Sequence, residues 1–219
     1  MQSLVVRSSL ATAASLFGGI LIGMGLGILV HGLLAGSPEY VRVALAAVPA
    51  LAGTIAGGAA WGNLLARIHR LDRRRLSIAG AICFGPLVIA VGFLLAKIEP
   101  VLIEQDHLPV SMHVLFTILF VPSTFLIAGI GGLTIAIGAR LDSQRLRFFF
   151  LTGLIAAAAF LVVDILMDVI GWRVGAPGAA ERATMITVMF LGALAATLSA
   201  GAVLGRLLLA SIPHEEIAA

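Results

Sequence analysis

The chain has 219 residues, of which 60% are hydrophobic and only 11% are charged, and its mean hydropathy is +1.12. Soluble domains average about 45–50% apolar and about 25% charged residues, so this composition excludes a soluble globular enzyme and a disordered chain. The pI near 10.0 comes from arginines in short segments between apolar stretches, which excludes a nucleic-acid-binding face. We therefore expect a polytopic membrane protein whose partners include the lipid bilayer and no nucleic acid.

Six apolar stretches are long enough to cross a bilayer as α-helices, which need about 20 residues each. Lipid offers no partner for backbone polar groups, and barrel strands are about half as long as these stretches. The predicted fold is therefore all-α: a polytopic membrane helical bundle of six transmembrane helices in a single integral membrane domain, 1–219. The predicted spans are about 10–34, 43–66, 76–97, 112–139, 148–170 and 184–210.

The distribution of arginines between the loops predicts the orientation. Residues 67–75 contain five arginines and residues 140–147 contain three, whereas residues 98–111 contain three acidic residues and no Arg or Lys. Cytoplasmic loops carry an excess of basic residues, so the arginine-rich loops predict that both termini are cytoplasmic. We expect a multi-pass protein of the cytoplasmic (inner) cell membrane. The run Arg73, Arg74 and Arg75 is expected to set topology and to attract anionic lipid.

The two arginine-rich loops resemble each other. Arg70-Leu71-Asp72-x-x-Arg75-Leu76 recurs 70 residues later as Arg140-Leu141-Asp142-x-x-Arg145-Leu146. Spans 2–3 and 4–5 can therefore be duplicated two-helix hairpins, an arrangement that occurs among transporters built from repeats. The alternative is convergence, because cytoplasmic turns favour Arg and an Asp can cap a helix start.

Small residues and prolines predict how the spans pack. Gly19, Gly23 and Gly27 share one face of span 1 and favour close contact with another helix. Pro122 lies inside span 4 and frees a backbone carbonyl, which the hydroxyls of Ser123 or Thr124 can help to satisfy. We therefore expect span 4 to be bent or broken, as helices at transporter binding sites often are.

Charge inside a span is the strongest indication of a functional site, because it is costly in lipid. Asp164 and Asp168 lie four residues apart and therefore on one face of span 5. Asp164 is predicted roughly 9 Å below the outer end of its span. His31 of span 1 and His113 of span 4 are expected at a similar level, and His and Asp together are a donor set for a divalent metal or, through the two His, for haem iron. The alternative is a structural ion pair, in which Asp164 or Asp168 meets an Arg or His and orients the helices.

Three functions remain open from the sequence. The first is a solute or ion transporter that needs no cofactor, with Asp164, Asp168, Pro122, Ser123 and Thr124 in the transport or ion-coupling site. The second is a non-catalytic subunit or assembly factor, whose partners are other membrane subunits or further copies of the chain. The third is a redox module that binds metal or haem through His31 and His113. The chain has no P-loop, no HExxH motif and one cysteine, so an enzyme is the less expected class.

Overall fold

A computed structural model describes residues 2–84, 112–169 and 179–211. These residues form an all-helical bundle, and no strand occurs among them. The helices are α1 (Gln2–Leu33), α2 (Glu39–His69), α3 (described over 73–84), α4 (Met112–Gly138), α5 (Arg145–Val169) and α6 (Ala179–Ser211), with a short 3₁₀ helix at Asp142–Gln144.

Within this part of the chain, five helices are long and apolar enough to cross a membrane: α1, α2, α4, α5 and α6. The remaining predicted span, 76–97, is described as helix only up to residue 84, and residues 85–97 lie outside the described residues. α1 begins about eight residues before its predicted span and α2 extends on both sides of its span. These two helices therefore extend beyond the apolar stretches that predict them.

The turns that follow α2 and α4 have the same backbone structure. Arg70 and Arg140 adopt left-handed conformations, with φ of 56° and 60°. The next residue in each turn donates its N–H to the carbonyl five residues earlier, Leu71 to Ala66 and Leu141 to Ala136, both at 2.9 Å. This is the Schellman pattern of helix termination. The repeated sequence thus forms two equivalent turns at one end of the bundle, called the Arg-rich end below.

The described helices form a closed ring of neighbours. α1 packs against α2 and α6, and α5 packs against α4 and α6. α3 completes the ring, because Gly80 meets Gly58 of α2 and Ala79 meets Gly138 of α4. The α6 end also reaches the Arg-rich end, where the Ser211 hydroxyl donates to Gln144 at 2.7 Å.

Glycines bring the backbones of α1 and α2 into direct contact along the middle of the two helices. A Cβ atom on Gly19 would lie 2.5 Å from the Gly53 carbonyl oxygen and 2.6 Å from the Gly57 Cα. A Cβ atom on Gly23 would lie 2.9 Å from the carbonyl oxygen of Pro49. Such close approach is how helices associate in lipid, where apolar burial provides little drive. The glycine face that the sequence predicts for span 1 is thus a helix contact.

Two apolar cores fill the bundle at different levels. The core nearer the Arg-rich end draws residues from all six helices, including Trp61, Leu76, Ile135, Phe148 and Leu204. The second core joins α4, α5 and α6 towards the opposite end and includes Phe160, Met167 and Val188. The first core therefore separates the second one from the Arg-rich end.

Gly19→Ala is expected to destabilise the protein, since the added methyl group overlaps the α2 backbone. Overpacking of this kind costs about 1–3 kcal/mol. Gly18→Ala is the matched control, because no atom of the described chain lies within 4 Å of a Cβ at that position. Thermal unfolding in one detergent should give a lower midpoint for Gly19→Ala only. Equal midpoints for the two variants would contradict the close contact.

Candidate functional site around Asp164

Asp164 is an acidic side chain buried within the membrane-spanning part of the bundle. It is only 1% exposed and lies on α5, between the neighbouring helices α4 and α6. Val169, the last described residue of α5, lies five positions after it. Because a carboxylate facing lipid would be strongly unfavourable, its burial against other helices is what allows it within a span.

A threonine on α4 binds this carboxyl group. Thr117 donates its hydroxyl to the Oδ2 atom of Asp164 at 2.6 Å. This distance is within the usual range of about 2.5–3.0 Å for an O–H···O hydrogen bond. The bond joins residues 47 positions apart in the sequence, so it also fixes the rotation of α4 relative to α5.

Apolar side chains share the face of α5 that carries Asp164. Phe160 and Met167 lie one turn before and one turn after it on the same face of α5, and both are buried with Val188 of α6. The Phe160 ring also stacks on Phe120 of α4, with centroids 6.2 Å apart. Polar interactions are stronger in such a low-dielectric environment than in water.

The structure describes only some of the other side chains that the sequence predicts near Asp164. His31 is exposed near the end of α1. The side chains of Asp168 on α5 and of His113 in the first turn of α4 lie outside the described residues, so a His31–His113 pair stays a prediction. Among the side chains that are described, no group of three or more His, Cys, Asp or Glu residues is arranged to hold a metal ion.

Span 4 is not broken, and a bend at Pro122 stays a prediction. α4 is one continuous helix from Met112 to Gly138 and contains Pro122 in its interior. The proline is exposed at the surface of the bundle, where its ring does not disturb a neighbouring helix. Ser123 donates its hydroxyl to the Leu119 carbonyl within the same helix, at 2.7 Å, and Thr124 is half-buried. Prolines can be accommodated in membrane helices when local hydrogen bonds compensate.

The arginine run is exposed at the start of α3. Asp72 precedes the helix and caps it, since it accepts the backbone N–H of Arg75 at 3.1 Å. The Arg75 side chain also pairs with Asp72 at 3.3 Å. In the second turn, Arg145 pairs with Asp142 in the same way.

Sequence reasoning missed a second set of buried polar groups, near the Arg-rich end. Ser8 lies 2.8 Å from the Nε2 atom of His69, and the Trp61 indole donates to Thr12 at 3.0 Å. These residues are at most 7% exposed. They attach α1 to α2 by side chains where the glycine contact ends. The sequence places His69 in an arginine-rich loop, but the Ser8–Thr12 spacing of one helical turn was a usable signal.

No protein-family model, no curated protein and no solved structure matches this chain.

Thr117→Val should lower the stability of the protein, since it removes a donor from a buried carboxyl group at nearly constant side-chain volume. Hydrogen bonds to charged groups contribute about 1.5–3 kcal/mol. Thr197→Val is the control, because the Thr197 hydroxyl bonds only to carbonyls of its own helix. In unfolding by a denaturing detergent, Thr117→Val should unfold at a lower detergent concentration than Thr197→Val. A Thr117→Val protein as stable as the Thr197→Val protein would contradict the role of this bond.

Proposed function

We propose that the chain crosses the cytoplasmic membrane six times, with both termini in the cytoplasm. The five spanning helices and the start of α3 alternate in direction, and ten of the 14 Lys and Arg residues lie towards the Arg-rich end or in the loops there. Positive residues favour the cytoplasmic side. We further propose that the α2–α3 and α4–α5 hairpins are duplicates, which the matching hydrogen bonds of their turns support.

We propose that the protein is a small transporter of a solute or ion, and that Asp164 is its coupling group. The single observation that carries this proposal is the burial of the Asp164 carboxyl group between three helices at a depth where charge is costly. A carboxyl group in such a position can bind and release a proton or a cation. Each change in its charge alters the energy of the contact between α4, α5 and α6.

The positions of the two apolar cores fit alternating access. By the predicted end of span 5 at residue 170, Asp164 lies about 9 Å from the outer side of the membrane, and the core around Trp61 and Leu76 separates it from the Arg-rich end. The route from Asp164 to the outer side is therefore the shorter one, and the packed core blocks the other. Transport requires this core to separate, as when one bundle of helices rocks against another.

Asp164→Asn is expected to abolish coupled flux while the protein still folds, since the amide keeps the side-chain size and can accept the Thr117 hydroxyl. The measurement uses proteoliposomes that contain fluorescent reporters of H⁺ or Na⁺, with an imposed gradient and a panel of small solutes outside.

Glu39→Gln is the control, because Glu39 is exposed at the start of α2 and its substitution removes the same charge. Flux through Asp164→Asn equal to that of the unaltered protein would overturn the proposal. So would the absence of any cation flux from the unaltered protein.

A hydrophobic carbodiimide gives a readout that does not depend on knowing the solute. The reagent modifies protonated carboxyl groups, so Asp164 should acquire an adduct detectable by peptide mass spectrometry. The coupling cation should slow this labelling by competing for the same oxygens. If the adduct never forms at Asp164 at any pH between 5 and 8 (roughly the physiological range), the group does not exchange protons with the reagent-accessible phase and the coupling role fails.

A second candidate function is that of a subunit or assembly factor, which an outward glycine face of α1 favours. Gly18, Gly25 and Gly32 are spaced by seven residues, and no atom of the described chain lies within 4 Å of a Cβ at any of them. Such a face suits contact with a further helix. Purification in mild detergent from the native host distinguishes this function: a stable partner lost in Gly25→Leu but kept in Met24→Leu supports it, and a lone chain counts against it.

A further inference from the structure

A groove of about 920 Å³ lies between α3 and α4 at the Arg-rich end, away from Asp164. Its walls are apolar and include Ile78, Ile82, Ile130 and Ile137. Ile82 is 68% exposed and Ile137 is 49% exposed, so the groove opens sideways, towards the space that lipid occupies around a spanning bundle.

Three arginines line the groove together with these apolar walls. They are Arg75, Arg140 and Arg145, and the acidic residue beside them is Asp142. The lining thus carries three positive charges and one negative charge. Arg75 and Arg145 occupy equivalent positions in the two matching turns, so the repeat brings one arginine from each copy to the same groove.

The ion pairs in the turns orient these arginines without using all of their donors. Asp72 holds Arg75 and Asp142 holds Arg145, each three residues earlier in the chain. A guanidinium group has five N–H donors, and one carboxylate engages at most a few of them. The two side chains are about half exposed, at 47% and 45%. They are therefore held in place and still accessible to an anion.

A cluster of arginines next to an apolar slot has the chemistry of a phospholipid site. Arginine binds phosphate oxygens in pairs through its planar fork of N–H groups. Basic pockets between membrane helices on the cytoplasmic side are known to bind anionic head groups. A soluble anion would use the arginines but would leave the apolar walls without a ligand.

We propose that this groove binds one anionic phospholipid from the surrounding leaflet. Its phosphate contacts Arg75, Arg140 and Arg145, and one acyl chain lies along Ile78, Ile82, Ile130 and Ile137. The lipid joins the two turns of the repeat and stabilises the α3–α4 contact. This site depends on the chain lying in a membrane and is independent of transport through Asp164.

The test compares lipid retention by native mass spectrometry after reconstitution in nanodiscs that contain equal amounts of phosphatidylglycerol and phosphatidylcholine with the same acyl chains. The unaltered protein should retain phosphatidylglycerol preferentially. Arg140→Gln should reduce this preference about fivefold, as expected for one basic residue near the membrane surface. Arg147→Gln is the matched control. Arg147 is exposed and lies two residues after Arg145, but it does not line the groove.

A second pair of variants tests the acyl part of the site. Ile82→Trp places a large ring in the groove at an exposed position and should weaken lipid retention, whereas Ile118→Trp, exposed on α4 outside the groove, should not. Added phosphatidylglycerol should raise the unfolding temperature of the unaltered protein and of Arg147→Gln, but not that of Arg140→Gln.

Three results would overturn the proposal. Equal loss of preference in Arg140→Gln and Arg147→Gln would indicate diffuse attraction of lipid by net charge. Full retention by Ile82→Trp would exclude an acyl chain in the groove. Protection from unfolding by inorganic phosphate alone, with no preference between the two lipids, would identify a site for a free anion instead.

Discussion

The bundle depends on close contact between helix backbones, because lipid removes the force that packs soluble proteins. Within a bilayer, an exposed leucine is as well solvated as a buried one, so helices associate through van der Waals contact and hydrogen bonds. The glycines of α1 and α2 allow their backbones to touch, and the Gly58–Gly80 contact does the same between α2 and α3. Side chains then add a few specific bonds, such as that between Trp61 and Thr12. These short contacts together hold the ring of helices in place.

The burial of Asp164 follows from this packing. α5 contributes Phe160 and Met167 to the core that it shares with α4 and α6, and Asp164 lies between them on the same face. The rotation of α5 that buries these two apolar residues therefore buries the carboxyl group as well. Thr117 meets it from α4. One orientation of α5 thus buries its apolar residues and also brings Asp164 and Thr117 together within the apolar core.

The sequence predicts the elements of this fold better than their ends and contacts. Long apolar stretches indicate the spanning helices directly, since lipid allows few alternatives at that length. The ends of α2 and α4 were not predictable from hydropathy, because left-handed Arg70 and Arg140 terminate them through backbone hydrogen bonds. Pro122 suggests a break that α4 does not have, because a membrane helix can continue past a proline when local hydrogen bonds compensate.

The candidate site, like the fold, was predictable from the sequence only in part. Asp164 is identifiable from the sequence because an acidic residue in a span is rare and needs a reason. Thr117 is not identifiable from the sequence, since its contact with Asp164 depends on how α4 and α5 are rotated relative to each other. The two residues are 47 positions apart in the chain. The Ser8–His69 contact was missed for a related reason: α2 continues past its apolar stretch, and this extension brings His69 beside the start of α1.

The pairing of α1 with α6 has a consequence for biogenesis. Ser9 donates its hydroxyl to the Leu198 carbonyl, 189 residues away along the chain. At synthesis rates of about 5–20 residues per second, the ribosome needs roughly 10–40 s to make that stretch. The contacts of α1 with α2, including that between Ser8 and His69, can form before α6 exists. The contact of α1 with α6, which closes the ring of described helices, has to wait until residue 198 has been made.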